Sequence, residues 1–145
     1  MWRVVELEAE ATHDLRRRVL RDHVPGADVV NPEDDQPGVV HLGVVDGEGR
    51  VAAVATVSPE PTARRPGRRA ARLRSMAVHP DQQGQGLGTQ LLAALVARAR
   101  QDGYQVLWAN GRDTALAFYR RHGWEVVGDG FESVGLPHHV VLVDL

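Results

Sequence analysis

The chain has 145 residues, 43% of them apolar and 25% charged, with a formal net charge of -2, which suits one soluble globular domain spanning residues 1–145. It contains no cysteine, so a disulfide scaffold, thiolate metal sites and a cysteine nucleophile are excluded. All 17 basic residues are arginine, which removes a Schiff-base lysine and a P-loop lysine, and the slightly acidic balance argues against a globally basic nucleic-acid binder.

No apolar run approaches the roughly 20 residues of a membrane-spanning helix. The start, Met1-Trp2-Arg3-Val4-Val5-Glu6, lacks the apolar core of a signal peptide, so a cytoplasmic protein without membrane contact is expected.

Residues 2–7 alternate weakly and predict a first strand. Residues 11–22 predict a short helix with Thr12 as a possible N-cap and Leu15, Val19 and Leu20 inward. Residues 24–37, with Pro25, Gly26, Asn31, Pro32, Asp34, Asp35, Pro37 and Gly38, predict a polar loop. Strands at 39–45 and 50–58 flank the turn Asp46-Gly47-Glu48-Gly49. After a loop at 59–67, a strand at 68–78 ends at His79-Pro80, because proline cannot continue a central strand. Leu87, Leu91, Leu92, Leu95 and Ala99 recur at three- and four-residue steps and predict a long helix. Arg98 and Arg100 complement its C-terminal dipole, and Gly103 stops it. A strand at 105–109, a helix at 114–122 ended by Gly123, a strand at 124–127, a loop at 128–137 and a strand at 140–143 complete the chain. The long helix makes strands 68–78 and 105–109 a crossover pair, parallel or splayed from parallel, in an α+β fold with one mixed central sheet.

The stretch Met76-Ala77-Val78-His79-Pro80-Asp81-Gln82-Gln83-Gly84-Gln85-Gly86-Leu87-Gly88-Thr89 is a strand, a tight glycine loop and a helix start. Glycines let backbone N–H groups converge, and the helix terminus adds partial positive charge, so phosphate or pyrophosphate is the natural guest. A Walker A loop needs a lysine, and a dinucleotide fingerprint needs glycine where Thr89 stands. The remaining match is a Q/R-x-x-G-x-G/A loop, Gln83-Gly84-Gln85-Gly86-Leu87-Gly88.

With a second block, Ala115-Leu116-Ala117-Phe118-Tyr119-Arg120-Arg121-His122-Gly123-Trp124, the chain resembles the GNAT family of N-acetyltransferases over nearly its whole length. Trp124 stands where that family's A-x-x-F-Y-x-x-x-G-F block has phenylalanine. The resemblance implies a GNAT-type sheet with splayed parallel strands 4 and 5 and helices on both faces. It implies that acetyl-CoA lies between those strands as co-substrate. Met76, Ala77 and Val78 would hold the pantetheine arm, together with Asn110, and a nearby N–H would polarise the thioester carbonyl. Gln83, Gly84, Gln85, Gly86, Leu87, Gly88 and Thr89 would hold the pyrophosphate. Tyr119, also against the cofactor, matches the family's general acid. The implied activity is direct acetyl transfer to a primary amine of a small molecule or peptide. The alternatives are a transferase for another acyl group and a non-catalytic acyl-CoA-binding module. Family members often form homodimers.

The general base is less evident, because the strand before the glycine loop offers Arg72, Arg74 and Ser75 but no carboxylate. His138 is the candidate chosen here, with His139 the alternative, since an imidazole titrates in the useful range. His79, ahead of a proline, reads as structural, and His41 could face the cleft. The histidine spacings fit no metal pattern, and no metal is expected. Arg64, Arg65, Arg68, Arg69, Arg72 and Arg74 form a basic run whose plain reading is a solvated strand edge. If Arg72 and Arg74 line the cleft on one face, they would bind a carboxylate on the acceptor. Aromatic residues are too sparse along this run to stack nucleic acid.

Overall fold

The computed structural model describes residues 1–24, 26 and 28–145; Pro25 of the expected polar loop lies outside them. Seven strands form one mixed sheet: β1 (Arg3–Leu7), β2 (Val40–Val45), β3 (Val51–Pro59), β4 (Ala70–Val78), β5 (Val106–Arg112), β6 (Glu125–Ser133) and β7 (Leu136–Asp144). Their spatial order is β1-β2-β3-β4-β5-β7-β6. The helices are α1 (His13–Leu15), α2 (Leu87–Gln101) and α3 (Leu116–Arg121). Contacts divide the chain into two compact units, Met1–Ser58 with Arg74–Ala97 and Pro59–Leu73 with Arg98–Leu145.

In the first unit, β1 pairs antiparallel with β2 from Arg3↔Val45 to Leu7↔His41, and β2 with β3 through the expected hairpin. Asp46 closes that hairpin by accepting from the N–H groups of Glu48 at 2.8 Å and Arg50 at 3.0 Å. The helix expected over 11–22 is broken up: a 3₁₀ turn Ala9–Thr12, the single turn α1 and a π-helical stretch Arg16–Leu20. Thr12 caps nothing; its hydroxyl donates backwards to the Ala9 carbonyl at 2.7 Å. The π stretch opens at Arg16, whose guanidinium is pulled inward. Leu15 still packs on Val54 and Ala77, with Leu7, Val19, Leu20 and Val51 around them. Within the expected loop, Pro32–Asp35 forms a 3₁₀ turn. On α2, Leu87, Leu91, Leu92, Leu95 and Ala99 are all buried, as their spacing predicts.

In the second unit, α2 ends at Gly103, φ +84°, where the Tyr104 N–H reaches the Ala99 carbonyl at 3.0 Å. The parallel β4–β5 ladder runs from Ala70↔Val106 to Leu73↔Ala109, while β4 continues to Val78 and β5 to Arg112. The expected loop at 128–137 is instead an extension of β6 and β7, with Ser133 opposite Leu136. The two-residue turn between them, Val134-Gly135, has positive φ at both positions, 47° and 76°. That is a hairpin turn normally signalled by Asn-Gly, and the β-branched Val134 hides it. Pro137 is tolerated because it lies beyond the last β5–β7 pair, Arg112↔His138, where no strand needs its N–H. Ala70, Val106, Trp108 and Leu142 form the core here, flanked by Val127 and Val140.

Candidate active site

The glycine loop follows β4 in the first unit. His79 anchors it: its N–H donates to the Ala52 carbonyl at 2.7 Å, and its Nδ1 accepts from the Asp81 N–H at 3.1 Å. That structural role is the one the following proline suggests. Gln83 Nε2 reaches back to the Val78 carbonyl at 3.3 Å, closing the loop on the end of β4. Gly84 and Gly86 have φ of +84° and +80°, a conformation that strains any residue with a side chain. The N–H groups of Gly84 to Gly88 meet no acceptor among the described residues. The first turn of α2 carries no acidic residue. Exposed N–H groups at a helix start with no competing carboxylate form an anion cradle, and the residues present fit a pyrophosphate.

In the second unit, α3 carries Tyr119, which is 7% exposed. Its ring lies 5.1 Å from that of Trp124 and 5.5 Å from that of Phe118. It also covers Gly111 of β5, where an added Cβ would stand 3.2 Å from Tyr119 Cε2. Glycine at 111 is thus what lets the phenol ring lie on the sheet. Burial pushes the Tyr119 phenol up to about 12, so it stays protonated across the range in which amines react. Trp124, in place of the expected phenylalanine, is buried and packs directly on that ring. Asn110 sits one residue earlier on β5, opposite Val140.

The histidines separate. His138 is buried; its Nδ1–H donates to the Leu136 carbonyl at 2.8 Å, and its ring stacks on Phe131 at 5.8 Å. It pairs with Arg112 on β5, so alternation puts it on the face opposite Gly111 and Tyr119. His139 pairs with Gly111 and lies on the Tyr119 face, with Nδ1 2.6 Å from Asp113 Oδ1. Room for the His139 ring comes from a bulge in β6, where a Cβ on Gly130 would come within 2.8 Å of His139 Cε1. His41 does not face a cleft. It is 5% exposed, and both ring nitrogens are engaged, with Thr56 Oγ1 at 2.7 Å and the Asp34 carbonyl at 3.0 Å.

The arginine run is a string of fixed contacts. Arg65 pairs with Asp144 at 3.1 Å and Glu125 at 3.3 Å, and Arg69 stacks over Tyr104 at 4.6 Å. Arg72, over the Trp108 ring at 5.1 Å, pairs with Glu60 at 3.3 Å; Arg74 pairs with Glu33 at 3.1 Å. The two arginines read from the sequence as carboxylate ligands therefore already hold carboxylates of this chain.

A buried polar cluster in the first unit escaped the sequence reading. Arg16, 2% exposed, forks onto Asp34 at 2.7 and 3.1 Å and donates to the Val29 carbonyl and Thr56 Oγ1, both at 2.9 Å. Burial pushes the Asp34 carboxyl up, but the Arg16 fork and charge and the Asn31 N–H together outweigh it and hold it below its ordinary value. The only advance sign was an arginine spaced among the apolar positions of the first helix. Next to Arg16 is a small cavity, bounded also by Leu20, Arg21, Asp28, Val29, Asn31 and Ser75. Ser75, on β4 just before Met76, has φ of +55°.

Comparison with known proteins bears on the whole chain. A family model described as the acetyltransferase (GNAT) family matches residues 4–124. The uncharacterized N-acetyltransferase YitI of Bacillus subtilis is 30% identical over 142 residues, covering 98% of this chain and 95% of that protein. Among solved structures, an acyl-CoA N-acyltransferase from Pseudomonas aeruginosa superposes with a TM-score of 0.78 at 20% identity, covering 98% of this chain and 97% of that one. A GNAT family acetyltransferase from Elizabethkingia anophelis with acetyl-CoA bound gives 0.73 at 14% identity, covering 99% and 98%. No helix among the described residues is long and apolar enough to cross a membrane.

Proposed function

Since the chain belongs to the acetyltransferase (GNAT) family and is an acetyltransferase, we propose that it moves the acetyl group of acetyl-CoA directly to a primary amine. The observation that carries the acetyl-CoA assignment is the glycine cradle: five successive N–H groups, Gly84 to Gly88, without an acceptor at the start of α2. These groups, with Gln83 and Thr89, hold the pyrophosphate in this reading, and Met76, Ala77, Val78 and Asn110 hold the pantetheine arm. Bound acetyl-CoA supplies an acetyl group activated as a thioester.

The chain's own contribution is positioning and proton handling. Tyr119 is the acid. A phenol with a pKa near 12 is protonated at the start of every turnover and can donate a hydrogen bond to a departing thiolate, lowering the cost of its leaving. His138 is proposed as the base. Its Nδ1–H is fixed by the Leu136 carbonyl, which leaves Nε2 as the lone-pair nitrogen of the neutral ring. It lies on the sheet face opposite Tyr119.

The test is isothermal titration of acetyl-CoA, with ATP and NADH as controls, followed by Tyr119→Phe. Acetyl-CoA is expected to bind and the controls to fail. Tyr119→Phe is expected to lower kcat about a hundredfold or more at unchanged acetyl-CoA affinity. Binding with no turnover, and no effect of the substitution, would instead identify a non-catalytic acyl-CoA-binding module.

A further inference from the structure

We infer that the cavity beside Arg16 and Arg21 receives a carboxylate of the acceptor, so that the acceptor is an amine that also carries a carboxylate, as a free amino acid does. The inference rests on the acetyl-transfer reading above and names the substrate class for it.

The cavity is lined by donors in excess of acceptors. Arg16 Nε is buried and has no hydrogen-bond partner, although the rest of that guanidinium is fully used. Arg21 donates only to the carbonyl of its neighbour Leu20, at 3.0 Å, and pairs with no carboxylate among the described residues. The Ser75 hydroxyl likewise bonds to no described residue. Asp34 neutralises Arg16, so the uncompensated positive charge at the cavity is Arg21.

The same wall carries the opposite charge. Asp28 is exposed at the cavity and accepts from the Val30 N–H at 2.9 Å. A ligand with a carboxylate meets Arg21, whereas a simple amine leaves it unmatched. Size narrows the choice further. The cavity measures about 10 Å³, room for a single small polar atom such as one carboxylate oxygen.

Location ties this cavity to the reaction. Ser75 directly precedes the Met76–Val78 stretch assigned to the pantetheine arm, and its φ of +55° is a strained conformation for a residue with a side chain. The same residue lines the cavity. Arg72 and Arg74, by contrast, already face carboxylates of this chain, Glu60 and Glu33.

The experiment uses the full chain with saturating acetyl-CoA and two matched panels of acceptors, the L-amino acids and their carboxamides, read by thiol release. At least one free amino acid is expected to exceed its own carboxamide in kcat/KM by about tenfold or more. Arg21→Ala is expected to raise KM for that amino acid more than it lowers kcat, bringing the acid-to-amide ratio to within about twofold; Arg21→Lys, which keeps the charge, is expected to retain part of the preference. The inference is overturned if carboxamides match or exceed the acids, if Arg21→Ala lowers both equally, or if neither panel releases thiol. In that last case titration of acetyl-CoA separates the two readings. Intact binding leaves acetyl transfer standing and removes only the acceptor class; absent binding removes both.

Discussion

The Arg16–Asp34 pair should be the most sensitive polar contact in the first unit, and Asp34→Ala measures it. Both side chains are almost fully buried, 2% and 3% exposed. The substitution deletes two charge-assisted hydrogen bonds from Arg16 and the one from the Asn31 N–H at 3.1 Å. What remains is a buried guanidinium with only the Val29 carbonyl and Thr56 to bond. Removing one partner of a buried pair costs about 3–5 kcal/mol, mostly the burial of the charge left behind. At about 2–4 °C per kcal/mol in a chain of this size, the melting temperature should fall by on the order of 10 °C. Urea denaturation followed by circular dichroism gives the free energy directly. The pH dependence carries a sign. The Asp34 carboxyl is lowered in the folded chain, so its contribution is complete above the unfolded value of 3.8 and is lost as pH falls through the folded value. The gap between wild type and Asp34→Ala should therefore close in acid. The double variant Arg16→Met/Asp34→Leu removes both charges and should lie within about 2 kcal/mol of wild type. A single-variant loss below about 1 kcal/mol, or a double variant less stable than the single, would refute the reasoning.

Three further outcomes follow from particular residues. Gly86→Ala should keep the fold, because the new Cβ meets nothing within 4 Å, yet weaken acetyl-CoA about fivefold or more by straining a φ of +80°; unchanged affinity in titration would remove the loop from the binding site. With the Tyr119 phenol raised to about 12, kcat should show no loss from its ionisation below about pH 11, and a fall centred near pH 10 that Tyr119→Phe abolishes would contradict its buried placement. Gly130→Ala places a Cβ 2.8 Å from His139 Cε1 and should cost about 1–3 kcal/mol in urea denaturation as the ring leaves Asp113; no loss would mean that the β6 bulge yields freely.

What could be read from the sequence was what local pattern determines. The five apolar positions of α2, its stop at Gly103 and the glycine loop ahead of it each follow from neighbours within a few residues, and all are found where the spacing puts them. The errors came where a distant residue decides. The first helix looked continuous, but Arg16 is drawn to Asp34, 18 positions away, and the helix widens to let it go. The last hairpin was hidden by Val134, held at φ 47° in a turn whose usual signal is asparagine-glycine. The histidines show the same limit. His138 and His139 are adjacent and chemically alike, and only the pairing of β7 with β5 puts one on the Tyr119 face and the other on the far face.

The arginine run makes the point most sharply, because it changes the functional reading. Arg72 and Arg74 sit at the right place in the sequence to bind an anionic acceptor, and nothing local argues against it. Their availability is decided by Glu60 and Glu33, 12 and 41 positions earlier in the chain, which meet them only after folding. Arg21, in a stretch with no motif at all, is left without an acidic partner among the described residues and borders a cavity. A cation draws a ligand in proportion to the charge that the chain leaves uncompensated. Counting arginines therefore locates the positive charge of this acetyltransferase, whereas how open each one is to a ligand depends on the carboxylates that folding brings to it.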